Sequence, residues 1–328
     1  MGDYSNDPAK LEQFARSAAL EFGLGTEVSL SLLNVSENAT FQVTHGDGQR
    51  SILRIHRPNY HTPQAIESEL DWVSALREDK LVQTPAILPT KDGRRVVTAV
   101  DESGEQRNAV MFEFMNGVEP TEDRLVDDFK TLGAITARLH QHSRKWHRPA
   151  GFTRMTWNYE TALGPNGHWG SWRDGLAMGP SELEILGRLS TTLGERLAAF
   201  GSGPDRFGLV HADMRLANLL VDGSDVTVID FDDCGLGWFM YDLGSSVSFI
   251  EDHPLIPAMT DSWVTGYRTV ADLSKEEERE LPTFIMFRRL LLVAWVGSHQ
   301  DTETGQEMGD NFTRVSCDLA EKYLSEFA

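Results

Sequence analysis

Residues 8–22 carry apolar side chains at helical spacing, with Asp7 placed as an N-cap and Gly23 as a stop. Three short runs of β-forming residues follow, "VSLSLLNV", "ATFQVTH" and "RSILRIHR", and the "HGDG" between the second and third reads as a hairpin turn. The spacing then returns to helical in "TPQAIESELDWVSALRED", where Thr62 precedes Pro63 at a helix start. Two further strand candidates, "RRVVTAV" and "NAVMFEFM", are joined by the polar "DESGEQR". The order β-β-β-α-β-β predicts a small sheet carrying one long helix.

After "NGVEP" the texture changes. A long amphipathic helix is predicted over "TEDRLVDDFKTLGAITARLHQHSRKW", then an irregular insert rich in Gly and Trp, "WNYETALGPNGHWGSWRDG", then a helix over "SELEILGRLSTTLGERLAAF". Two β-rich runs, "NLLV" and "VTVIDF", come next, and from Tyr241 onward the pattern is almost wholly helical. The chain therefore reads as α+β, with an N-terminal lobe over 1–116 and a larger, mainly helical lobe over 117–328.

The 328 residues include 30 Lys and Arg against 50 Asp and Glu, a formal charge of −20. That balance argues against nucleic acid or an anionic membrane surface as a partner, because both need a basic footprint. Two cysteines, Cys234 and Cys317, make a disulfide framework an unlikely plan and a reducing cytoplasm the expected setting. The start "MGDYSNDPAK" lacks the basic and apolar segments of a signal peptide, and Asn6 stands where a myristoylation signal has Ser or Thr. The apolar run "LLLVAWVG" is too short to span a bilayer and reads as part of a core helix. A monomer or homodimer is expected.

The chemistry concentrates in "LVHADMRLANLLVDGSDVTVIDFDDCG", residues 209–235. Carboxylates beside apolar strands are costly unless paired, hydrogen-bonded or bound to a cation. Asp222-Gly223 is a strong turn signal, and a hairpin centred on Ser224 sets Asn218 opposite Asp230, roughly 5 Å apart at Cβ. An amide oxygen beside a carboxylate suits a hard cation such as Mg²⁺. Asp213 precedes the hairpin by five residues, near the same end. A loop Asp, an Asn five positions on and an Asp on the next strand is the order that protein kinases use for base and metal ligands. No GxGxxG precedes the third strand and no GxxxxGK[ST] occurs, which disfavours Rossmann and P-loop enzymes.

On these residues the chain resembles the aminoglycoside phosphotransferase and homoserine kinase group of small-molecule kinases, which have a protein-kinase-like fold. "HADMRLANLL" is similar to their HGDxxxxN catalytic loop, with Ala212 in place of the usual Gly, and "VIDFDDCGLGWFMYDLG" is similar to their metal-binding segment. The resemblance implies a two-lobed enzyme with ATP between the lobes and Mg²⁺ on Asn218 and Asp230, Asp232 assisting. Asp213 then takes the proton of an acceptor hydroxyl. Arg54 stands on the third strand where protein kinases have Lys, with Glu69 (or, second, Glu67) as its helix partner; Arg forms bidentate pairs with phosphate and carboxylate. His56 and Arg57 are alternatives beside Arg54.

Ser36, Glu37 and Asn38 fall on the turn that covers the phosphates, backbone groups of Glu113 and Met115 on the adenine edge, and Arg215 where it neutralises phosphate charge or pairs with Asp232 or Asp233. His211 and His140 read as structural, and Asp242 as a helix cap that also ties down the catalytic loop. Trp157, Trp169 and Trp172 either line an acceptor pocket or pack an insert. The expected partner is a small molecule bearing a hydroxyl: an amino alcohol, aminoglycoside, homoserine or sugar. Rival readings are a kinase of the stress-response type acting on protein Ser/Thr, a nucleotide-binding pseudokinase, and a metal-dependent hydrolase using His211, Asp213 and Asp230.

Overall fold

A computed structural model describes residues 7–35, 38–121, 124–223 and 225–328. Ser36 and Glu37 of the expected phosphate-covering turn, and Ser224 at the expected hairpin centre, lie outside the described residues. The chain divides into two compact units. The first comprises Met1–Val118, Arg148–Arg154 and Leu220–Asp232; the second comprises Glu119–His147, Met155–Leu219 and Asp233–Ala328. A contiguous division at 116 does not assign the hairpin residues 220–232 to the first unit.

The first unit is built on five antiparallel strands, β1 (Ser29–Val35), β2 (Ala39–Thr44), β3 (Arg50–Ile55), β4 (Val96–Val100) and β5 (Gln106–Glu113), in the order β1-β2-β3-β5-β4. Side chains on a strand alternate between faces, and here each face receives its own helix. Helix α1 (Pro8–Glu21) places Leu11, Phe14, Ala15 and Ala18 against Phe41, Leu53, Ile55, Ala109 and Met111. On the other face Ile66 and Leu70 of helix α2 (Pro63–Glu78) pack with Val110, Val96 and Phe112. The sheet thus carries two helices rather than the single one predicted. Both start as the sequence predicts: Asp7 accepts from the Ala9 amide at 3.1 Å, and the Thr62 hydroxyl accepts from the Ala65 amide at 3.2 Å. Alternation decides where Arg54 points. Its neighbours Leu53 and Ile55 face α1, so Arg54, paired in register with Thr40 on β2 and Val110 on β5, faces α2.

The second unit is mainly helical, with α3 (Leu125–Lys145), α4 (Tyr159–Leu163), α5 (Pro180–Phe200), α6 (Tyr241–Ser246), α7 (Ile256–Tyr267), α8 (Lys275–Ser298), α9 (Glu303–Met308) and α10 (Asn311–Phe327). A small sheet unforeseen from the sequence joins β6 (Met155–Trp157), β10 (Gly235–Trp238) and β7 (Phe207–Val210) in the order β6-β10-β7. On β10 a Cβ at Gly235 would press on Met155 and Trp157 of β6 and one at Gly237 on Val210 of β7, so a strand this poor in side chains has little β signature. Helix α8 is long and apolar enough to cross a membrane, yet it is buried almost continuously from Leu281 to Val296, as a core helix is. Ser274 and Glu277 close a capping box at its start.

Between β7 and β10 the chain forms the hairpin strands β8 (Leu219–Asp222) and β9 (Asp225–Val228). These strands end short of the residues of interest. Asn218 closes a 3₁₀ turn at 216–218, and Asp230 lies two residues beyond β9 with φ of 58°. The cross-strand placement expected for this pair therefore does not hold, since neither residue is in a strand.

Helices α3 and α7 approach at two glycines. An added Cβ at Gly133 would overlap the Trp263 carbonyl, and one at Gly266 the Lys130 carbonyl. Gly266→Ala is expected to lower stability by about 1–3 kcal/mol in urea denaturation, as overpacking does. Gly187→Ala in α5, where a Cβ meets nothing within 4 Å, is expected to leave stability unchanged or to raise it by about 0.5–1 kcal/mol.

Candidate active site

In the first unit Arg54 reaches α2 from the middle of the sheet. Its Nη2 donates to Glu69 Oε1 at 2.6 Å, and its Nη1 lies 3.5 Å from Asp230 Oδ1. Burial works against the Arg54 charge, but Glu69, Asp232 and Asp230 outweigh it and hold the guanidinium protonated beyond its already high ordinary range. The sequence-derived pair Arg54 and Glu69 is thus an ion pair. Glu67, the second choice, pairs with Arg95 instead. Of the three carboxylates around Arg54, only Asp230 is half exposed.

Asp232 is placed differently from the metal-side position expected of it. It is buried, with Oδ1 3.4 Å from His56 Nδ1 and Oδ2 3.6 Å from His61 Nε2, and Arg54 Nη2 lies at 3.9 Å. Burial alone would raise its pKa; His61, His56 and Arg54 hold it well below the usual carboxylate value. Its backbone carbonyl accepts from Arg154, which also donates to the Ala65 carbonyl at 3.0 Å. Asp232 is therefore an interior counter-charge that fixes the segment after Asp230. Asn38 is turned inward too: its Oδ1 accepts from the Arg57 amide at 3.1 Å, which ties the turn before β2 to the end of β3. The Glu113 carboxylate is engaged by Arg77 and the Ala86 amide, and its own amide donates to the Ala86 carbonyl at 2.8 Å. Met115 lies two residues further on, in the irregular segment that follows β5.

In the second unit β7 delivers the chain to the loop 211–215. Asp242, near the start of α6, accepts from the His211 amide at 3.2 Å and the Ala212 amide at 2.7 Å. It is a tether for the loop and not a cap of its own helix. His140 donates from Nε2 to Asp242 at 3.0 Å and accepts from the Tyr267 hydroxyl on Nδ1 at 3.0 Å. Burial lowers its pKa, so a neutral imidazole with the proton on Nε2 fits both bonds. Ala212 has φ of 67°, a left-handed conformation that explains why glycine is usual there.

This tethering presents Asp213. Its Oδ2 accepts from Asn218 Nδ2 at 2.8 Å and from Arg215 Nε at 3.2 Å. Its Oδ1 accepts from Arg288 Nη2 at 2.9 Å, and its amide donates to His211 Nδ1 at 3.3 Å. Burial opposes ionisation here, but Arg215 and Arg288, helped by the Asn218 hydrogen bond, hold the carboxyl below its ordinary value. Arg215 thus pairs with Asp213. Trp157, Trp169 and Trp172 are at most 2% exposed, so packing accounts for them. Arg288 escaped the sequence reading. Its signal was present in "MFRRLLLVAW": an arginine pair within an apolar helix must find buried partners.

Two of the expected metal ligands, one in each unit, carry oxygen donors of the kind a hard divalent cation takes. Asn218 commits its Nδ2 to the Asp213 side chain and carbonyl, which leaves Oδ1 as its ligand atom. Asp230 supplies an exposed carboxylate. Among the described residues no group of three or more His, Cys, Asp or Glu forms a metal centre by itself.

A five-stranded sheet bearing an Arg–Glu pair, with a tethered Asp-x-x-x-x-Asn loop in a helical unit, defines a protein-kinase-like phosphotransferase. The chain belongs to the phosphotransferase enzyme family, which it matches over residues 31–278. It is 25% identical over 310 residues to amicoumacin kinase of Bacillus subtilis (strain 168), covering 90% of this chain and 88% of that one. It is 49% identical to a microcompartment-associated aminopropanol kinase of known structure, with a TM-score of 0.88 over 95% of this chain and 97% of that one. The structure of amicoumacin kinase hAmiN with AMP-PNP, Ca²⁺ and Ami shares the fold at 22% identity, with a TM-score of 0.77 over 96% of this chain and 94% of that one. The protein is an ATP-dependent phosphotransferase acting on a small molecule.

Arg54→Met leaves Glu69 buried without its partner and is expected to lower stability by about 3–5 kcal/mol in urea denaturation. The double variant Arg54→Met/Glu69→Met removes both charges and is expected to regain most of that stability.

Proposed function

We propose that this enzyme transfers the γ-phosphate of ATP to the hydroxyl of a small amino alcohol of the aminopropanol type. The observation that carries the acceptor class is the 49% identity with an aminopropanol kinase along nearly the whole chain. The acidic balance of the chain, 50 acidic against 30 basic side chains, is compatible with an amine-bearing substrate.

In this reading the acceptor hydroxyl approaches Asp213, which is ionised and able to receive its proton. The O–H bond breaks toward Asp213 as the acceptor oxygen bonds to the γ-phosphorus. The bond from phosphorus to the β–γ bridging oxygen breaks, and its electron pair stays on ADP. Asn218 Oδ1 and Asp230 would hold Mg²⁺, which when bound neutralises the phosphate charge. Arg54, braced by Glu69, and Arg215 contribute fixed positive charge for the phosphates. The carbonyl of Glu113 and the backbone of Met115 are the proposed adenine contacts.

Asp213→Asn keeps size and hydrogen bonding but cannot accept the proton. Turnover is expected to fall by about 10²–10⁴-fold, with ATP affinity by calorimetry largely kept. Asp230→Ala is expected to lose the Mg²⁺-dependent part of ATP binding. A coupled ADP-release assay across 1-amino-2-propanol, ethanolamine, homoserine and an aminoglycoside tests the acceptor. The highest kcat/KM is expected for the aminopropanol, and absence of turnover with either amino alcohol would remove this acceptor class.

A further inference from the structure

Arg288 lies on α8, 75 positions from the loop it touches, and is 2% exposed. Such burial requires compensation on every side of the guanidinium. Nε donates to Ser248 Oγ at 2.9 Å, Nη1 to the Tyr241 hydroxyl at 2.9 Å and to the Ala212 carbonyl at 3.3 Å, and Nη2 to Asp213 Oδ1 at 2.9 Å. The guanidinium carbon lies over the Trp169 ring, 5.1 Å from its centroid. The guanidinium therefore has one orientation, set from three elements of the second unit, and its remaining edge is delivered to Asp213.

The two carboxylate oxygens of Asp213 are then unequal. A carboxylate oxygen has two lone pairs. Oδ2 receives two donors, Asn218 and Arg215, whereas among the described residues Oδ1 receives Arg288 alone. One lone pair of Oδ1 is left for an incoming hydroxyl. We propose that Oδ1 is the atom that takes the acceptor proton, and that Arg288 is the positioning residue that aims it. This rests on Asp213 being the base. The hydroxyl-to-Oδ1 proton transfer is the one already written for Asp213, so it needs no further reactant.

The prediction concerns kcat apart from binding. Arg288→Met keeps the length and packing of the chain while removing the fork. Its kcat is expected to fall about tenfold to a hundredfold, as misplacement of a reacting group does, with KM for ATP within twofold of wild type. Arg288→Lys, which returns one donor, is expected to regain part of the loss. Tyr241→Phe, which removes only the hydroxyl that holds Nη1, is expected to lower kcat by a smaller factor than Arg288→Met. Thermal melts report whether each variant is folded; if Arg288→Met is not, Arg288→Lys and Tyr241→Phe carry the test. Folded variants with wild-type kcat per molecule would overturn the proposal, as would a loss that appears in KM for ATP and leaves kcat intact. Asp213→Asn separates the two layers. If it is inactive while the Arg288 variants are normal, only this inference fails; if it turns over at the wild-type rate, the assignment of the base fails.

Discussion

A carboxylate moved out of water must be met by donors, and Asp213 is met by three: Arg288, Arg215 and Asn218. This constraint organises the second unit. The loop bearing Asp213 is too short to hold itself, so Asp242 draws in two consecutive amides, and His140 and Tyr267 in turn fix Asp242. Helix α8 must be long and buried for Arg288 to arrive from the interior with its charge already compensated. The same cations that make burial tolerable keep the group ionised. As the proposed base, a carboxylate so held is weak. It suits a reaction in which positioning and phosphate charge matter more than proton abstraction.

The first unit repeats the logic with the signs exchanged. Arg54 is the buried cation, and Glu69, Asp232 and Asp230 are the counter-charges. Glu69 and Asp232 are interior and structural in effect; Asp230 keeps an exposed carboxylate. The alternation of β3 explains why an arginine can stand at this point at all. It occupies the face covered by α2, where an acid can be supplied at one helical position. Removal of either ion leaves the other in a low-dielectric interior, which ties the stability of the unit to this pair.

Much of this was legible in the chain because local chemistry and period coincide there. Thr62-Pro63, Asp7 and the apolar spacing between them and the strands mark elements whose observed limits lie within a few residues of the predicted ones. Arg54 and Glu69 were readable as a pair through the resemblance to kinases, in which a third-strand cation is held by an acid on the following helix. What was not legible depends on distance along the chain. Arg288 reaches Asp213 from another helix, and His61 and Arg154 reach Asp232 from separate loops. The small sheet β6-β10-β7 was hidden because one of its strands contains two glycines and another has three residues. Asp232 misled because an Asp two places after Asp230 looks like a second ligand, whereas the backbone turn at Asp230, with φ of 58°, sends the two side chains to different surroundings. The tryptophans, open to two readings in sequence, were settled by burial.

The proposal that Asp213 receives the proton of an amino alcohol can be checked in a structure of the enzyme with a non-hydrolysable ATP analogue, Mg²⁺ and 1-amino-2-propanol. Under that proposal the acceptor oxygen is expected about 2.6–3.2 Å from Asp213 Oδ1, with Arg288 still on the same oxygen and the ion on Asn218 and Asp230. An acceptor oxygen bound away from Asp213, or an ion bound without Asn218 and Asp230, would contradict it.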